Sequence, residues 1–167
     1  MKCVPGTSSS APLLAILASP PSETSGARTL ARVDLAAGLA GCDGYVVGNL
    51  FAQATADVVE ISSVGANPTH WMSARLLLEP LLLQSTNVLF AWGKSEPTGL
   101  AREFHRSQVN WLKSKTSEIS ATVWMVGDEP RHPSRWQRYT AARHPQMAFK
   151  DALRLALQVD MAQQVGT

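Results

Sequence analysis

Three short segments of this 167-residue chain carry side chains suited to chemistry on a planar or anionic ligand. The first is Pro130-Arg131-His132-Pro133-Ser134, in which two prolines stiffen the backbone around an imidazole. The adjacent guanidinium disfavours an imidazolium, so His132 should be neutral and able to donate one hydrogen bond to developing negative charge. The second is Asn49, whose amide offers a donor and an acceptor side by side, the geometry that reads the edge of a heterocycle. The same amide could instead cap the turn that follows it. The third is Trp92-Gly93, which with Phe51 could give a planar ring a stacking face or could belong to the core.

Charge points to the same end of the chain. Residues 1–93 carry four basic and six acidic side chains, and residues 94–167 carry eleven and seven, so the net charge of +2 is an average over two unlike parts. Arg131, Arg135, Arg138 and Arg143 fall within thirteen residues that contain no acid, and Trp136 and Tyr139 are interleaved with them. A solvated loop accounts for such a run. So does an anion site, because alternating cations and aromatic rings are what nucleic-acid surfaces use. Glu23 and Asp57 are the acids nearest to strand ends, and either could orient a water. His70, His105 and His144 fall at helix starts or surfaces and are assigned no role.

Several classes are excluded or disfavoured. No His/Cys/Asp/Glu cluster has metal-ligand spacing, no Gly-rich phosphate loop or nucleophile elbow occurs, and no cofactor is expected. Cys3 and Cys42 cannot build a disulfide framework, so a reduced, cytoplasmic protein is expected. No apolar run reaches the ~18 residues of a membrane span, so no membrane partner is expected. A hydrophobic share of 45% with 17% charged residues argues for one folded core rather than disorder. Residues 1–12, rich in Ser and Pro, read as a disordered leader, and 13–167 as a single domain.

The elements that must position these residues follow from pattern. Leu13–Ala18, Tyr45–Phe51, Asn87–Gly93 and Ala121–Gly127 are short apolar runs bounded by turn signals, which suits four buried strands. Helices are predicted between them: one capped by Thr24 or Ser25 with Leu30, Val33, Ala37 and Ala40 inward, and one from Thr69 that stops or kinks at Pro80. Another is capped by Thr98, with Leu100, Phe104 and Trp111 or Leu112 inward. A last helix from about Pro145 carries Phe149, Leu153, Leu157 and Met161. Strands alternating with helices imply an α/β/α sandwich around a mainly parallel four-stranded sheet. Ligands bind such sheets beyond the strand C-termini, where Ser19-Pro20-Pro21-Ser22-Glu23, Asn49, Trp92-Gly93 and the loop from Gly127 to Trp136 should gather.

The ordered set Asn49-Leu50-Phe51-Ala52, Ala91-Trp92-Gly93 and Pro130-Arg131-His132-Pro133 resembles a bacterial and phage family catalogued as a conserved domain of unknown function. Thr29, Arg32 and Ala54-Thr55 also suit that family. Ser19-Pro20-Pro21-Ser22 departs from its first motif, an N-P-S-T-A-like turn. More remotely, a strand ending in Trp-Gly, a helix, a strand and then His-Pro-Ser is similar to the C-terminal half of the uracil-DNA glycosylase superfamily. That resemblance implies a base read by Asn49, a departing base anion stabilised by His132, and a Ser134-Arg135-Trp136 segment that enters DNA. The acid-bearing first motif of those enzymes is absent, with Glu23 the nearest substitute.

Together these readings give an expectation of a uracil-DNA-glycosylase-like fold that handles a nucleobase, nucleotide or nucleic acid, with N-glycosidic hydrolysis as its reaction if it is an enzyme. His132 and Glu23 would be catalytic. Asn49, Phe51, Trp92, Gly93, Ser22, Arg131, Ser134, Arg135 and Trp136 would bind substrate, with Arg131 and Arg135 on phosphate and Trp136 as a wedge in duplex DNA. A non-catalytic nucleotide-binding module or a protein-interaction domain is the alternative.

Overall fold

The computed structural model describes residues 11–163. The expected leader falls almost wholly on residues 1–10, outside the described residues. The four strands expected from the sequence form as β1 (Leu13–Leu17), β2 (Tyr45–Asn49), β3 (Asn87–Phe90) and β4 (Thr122–Val126), and they pair in parallel. A fifth, β5 (Leu157–Val159), runs antiparallel to β4, so the sheet is mixed, with the order β2-β1-β3-β4-β5.

β1 lies between β2 and β3 and is buried along its whole length, which explains its unbroken apolar sequence. Successive side chains point to opposite faces. Leu14 and Ile16 join Val88, Phe90 and Val123 in one core, against Trp71, Leu78 and Leu82 of α3 (Thr69–Leu83) and Leu112 of α4 (Leu100–Glu118). Leu13, Ala15 and Leu17 join Leu89, Ala91 and Val126 in the other. There they meet Val33, Ala36 and Ala37 of α1 (Ala27–Leu39), and Leu153 and Ala156 of α6 (Phe149–Ala156). The two remaining helices are α2 (Val58–Val64) and α5 (Trp136–Arg143). Gly48 is needed where β2 passes under α3, because a Cβ there would overlap Leu78 Cδ2.

Four local expectations are refined. The last helix ends at Ala156, and Leu157-Gln158-Val159 instead supplies hydrogen-bond partners to the edge of β4. α3 continues past Pro80 to Leu83; Leu76, whose carbonyl loses its partner there, lies on the exposed side, where water can satisfy it. α4 is capped at Gly99, not Thr98; Phe104, Trp111 and Leu112 pack inward as expected, but Leu100 is 61% exposed, and Ala101, His105, Gln108 and Thr116 join the buried face. α1 takes Gly26 as its N-cap residue, while the hydroxyls of Thr24 and Ser25, the expected caps, accept the Gly26 and Ala27 N–H groups at 3.3 Å.

No helix among the described residues is long and apolar enough to cross a membrane.

Candidate functional site

The parallel strands end along one edge, and a cleft of about 1050 Å³ opens there. Its position follows from topology. β2 lies on one side of β1 and β3 on the other, so the connections leaving β1 and β3 diverge and leave a crevice between them. Leu50 and Phe51 extend β2 by donating to Leu17 O and Ala18 O, and Ala91 does the same for β3 by donating to Ile16 O. The turn after β1 is held by a bridge between Pro21 and Thr55 and by a hydrogen bond between the Ser19 and Thr55 hydroxyls.

Asn49, Trp92, Gly93 and His132 all line this cleft. Asn49 pairs with Leu17 in the sheet, which fixes its backbone at the strand end. Its Oδ1 is buried and accepts no hydrogen bond among the described residues, so it does not cap the following turn. Such an atom costs about 1–3 kcal/mol when left unpaired. Among the described residues only one other buried side-chain polar atom is orphaned, His105 Nδ1, and His105 lines the same cleft.

Trp92 is 7% exposed and packs on Phe90 with ring centres 4.7 Å apart, so most of its ring belongs to the core although the residue lines the cleft. Gly93 has φ +98°, and its N–H donates to Pro130 O at 2.6 Å, which fastens the end of β3 to the loop bearing His132.

His132 sits in extended backbone before Pro133, as the residue preceding a proline prefers, and caps a single 3₁₀ turn, Pro133–Arg135. Its Nδ1 accepts the Ser134 N–H at 3.2 Å and lies 2.9 Å from Ser134 Oγ. Burial, then the charges of Arg135 and Arg32, hold its pKa below the ordinary imidazole value. The ring is therefore neutral at neutral pH.

Other expected site residues fall elsewhere. Phe51 is fully buried against Trp71, 4.8 Å between ring centres, and offers no stacking face. Trp136 is likewise fully buried, its Nε1–H donating to Arg131 O at 2.8 Å, so it is a core anchor and not a surface wedge. Arg131 lines the cleft, but its guanidinium is occupied. It donates to Val126 O at 3.0 Å and to Glu129 Oε2 at 2.9 Å, reaches Asp128 at 3.5 Å, and stacks 3.8 Å over Tyr139. Ser22 and Glu23 are exposed and lie outside the cleft lining. Ser134 and Arg135 line the cleft, as does Asp57, an acid that caps α2 by accepting the Glu60 N–H at 3.0 Å.

His105 escaped because a polar side chain beside Phe104 reads as surface, whereas both pack inward. It is 9% exposed, meets Trp71 edge to face, and burial lowers its pKa. The polar residue one turn on, Gln108, was a usable signal. It is fully buried and fully satisfied: its Nε2 donates to Leu50 O and Trp71 O, and its Oε1 accepts from Arg75 Nε. That clamp ties α4 to the residue next to Asn49. Among the described residues no group of three or more His, Cys, Asp or Glu side chains is placed to hold a metal ion.

The chain belongs to a family described as "Protein of unknown function (DUF1643)", whose model matches residues 6–134. The matched span contains Asn49, Trp92 and His132 and ends at Ser134. No curated protein and no solved structure matches the chain.

Proposed function

We propose that the cleft binds a nucleobase in a nucleoside, nucleotide or single strand, in a fold of uracil-DNA-glycosylase type, and hydrolyses its N-glycosidic bond. The observation that carries this reading is the buried, unpartnered Oδ1 of Asn49 in the cleft that also holds Trp92 and His132. A ligand N–H beside a ring carbonyl would satisfy both halves of that amide at once. Trp92 adds an apolar wall beside the base.

In the reaction, the bond between the sugar C1′ and the base nitrogen breaks, and its electron pair leaves with the base. His132 faces that negative charge as a neutral donor through Nε2–H. Water adds to C1′ and gives up a proton. Asp57 takes the water-orienting role in place of Glu23, because it lines the cleft and one of its oxygens takes no protein hydrogen bond among the described residues. The released proton neutralises the base anion.

One observation favours a second reading, a binding module without turnover: no carboxylate inside the cleft is buried, since Asp57 is exposed. Incubation with uridine, 5′-UMP and a uracil-containing single strand, followed by chromatography for free base, separates the two. Release of base by the wild type and its loss in His132→Ala supports the hydrolase. Binding without release by the wild type supports the module, and neither binding nor release contradicts both.

A further inference from the structure

We infer that the ligand of this cleft carries a phosphate, held by Arg135 and Arg138. That would narrow its class from bases and nucleosides to phosphorylated nucleosides. The nature of the ligand's other end rests on the reading above; the anion subsite does not.

The charged residues lining the cleft are Asp57, Lys94, Arg131, Arg135 and Arg138. Asp57 is an acid, and two of the four cations are already committed: Lys94 pairs with Glu129 at 2.8 Å, and Arg131 is neutralised by Asp128 and Glu129. Arg135 and Arg138 remain. Both are exposed, and among the described residues neither guanidinium forms an ion pair, a side-chain hydrogen bond or a ring contact. They stand three residues apart across the junction of the 3₁₀ turn and α5, a spacing that sets both on one side. Unpaired like charges at that spacing repel, and an anion shared between them removes the repulsion.

Phosphate fits two guanidinium groups better than a planar carboxylate does, because its tetrahedral oxygens can meet two forks that approach from different directions and it carries more charge. The Arg135 backbone N–H donates to His132 O at 2.9 Å, which sets this part of the cleft beside its reacting end. Ser25, Gly26 and Thr29 at the start of α1 line the same cleft, and the first turn of α1 holds no acid. Arg32 of α1 donates to Pro133 O at 2.8 Å and to Gln137 Oε1 at 3.0 Å, fastening α1 to the segment that carries the two arginines.

The phosphate could belong to a free nucleotide or to a strand backbone. Titrations of the full chain at low salt distinguish them, with inorganic phosphate, uridine, 5′-UMP and a single-stranded oligonucleotide lacking terminal phosphate as probes. Inorganic phosphate should bind, more weakly as salt rises, and Arg135→Ala/Arg138→Ala should lose about tenfold or more. The double Lys variant should retain part of the binding. 5′-UMP binding tenfold or more above uridine identifies a free nucleotide; tighter binding of the oligonucleotide, lost in the double Ala variant, identifies a backbone. Absence of phosphate binding, or equal binding by the double Ala variant, overturns the inference. If phosphate binds but Asn49→Ala leaves the 5′-UMP affinity unchanged, the base-recognition reading fails while the phosphate subsite stands.

Discussion

His132 Nδ1 accepts the backbone N–H of Ser134 at 3.2 Å. A backbone N–H can only donate, so Nδ1 is the acceptor and the proton of the neutral ring sits on Nε2. Residue 134 thus fixes the tautomer of residue 132, and Arg135 and Arg32 help keep the ring uncharged. Nitrogen-detected NMR should find the Nε2–H tautomer, titrating below about 6.5. Arg135→Ala should move that titration upward. Ser134→Ala, which keeps the amide, should leave the tautomer unchanged. A proton on Nδ1, or a titration above the ordinary value, would remove the basis for a neutral donor.

The same burial predicts how stability varies with pH. His105 and His132 both titrate lower in the folded chain than in the unfolded one. As pH falls below about 6.5, the unfolded state therefore takes up protons first. The stability of the neutral rings is complete above that value and is lost as pH falls through it toward the folded-state pKa values. Thermal melts between about pH 7.5 and 5 should show a falling Tm. His105→Leu should flatten part of that fall and, by deleting the orphaned Nδ1, leave stability at neutral pH equal or higher. A Tm that is constant across the range contradicts this.

Trp136 separates packing from binding. Trp136→Ala should cost about 3–5 kcal/mol in denaturant titrations, since the ring is fully buried. Trp136→Phe should cost less, about 1–3 kcal/mol, through the smaller ring and the lost bond to Arg131 O. The Phe variant should bind nucleotides as the wild type does; a specific loss of duplex affinity in it would restore the wedge.

The strands were legible because burial on both faces leaves an uninterrupted apolar run, as at Leu13–Leu17, and their ends placed Asn49, Trp92 and His132 at one edge. What escaped depends on tertiary partners. β5 is three residues long and is a strand only because β4 has a free edge beside it. The inward face of α4 is polar at His105 and Gln108, which apolar counting passes over; the partners that satisfy Gln108, Leu50 and Arg75, lie far off in the chain. Arg131 was the most readable of the misses. Asp128 and Glu129 stand three and two residues before it, after Gly127, and a tight turn there returns both carboxylates to the guanidinium.

Gly127 has φ +74°, and a Cβ on it would overlap Arg131 Nη1 and Tyr139 Oη. Gly127→Ala should therefore cost about 1–3 kcal/mol in backbone strain and displace the stacked pair. Because Arg131 precedes His132, the His132 signals should shift as well. Unchanged stability in urea titrations would show that the turn tolerates a side chain.

Recognition of a base by the Asn49 amide is most directly tested by titrating isotope-labelled protein with the common nucleoside 5′-monophosphates while following the Asn49 side-chain NH₂ signals, in parallel with calorimetry on Asn49→Ala. At least one nucleotide should shift those signals on binding, and the variant should bind it about tenfold or more weakly, as the loss of a two-point amide contact implies. No shift with any nucleotide, or equal affinity in Asn49→Ala, would contradict base recognition at this strand end.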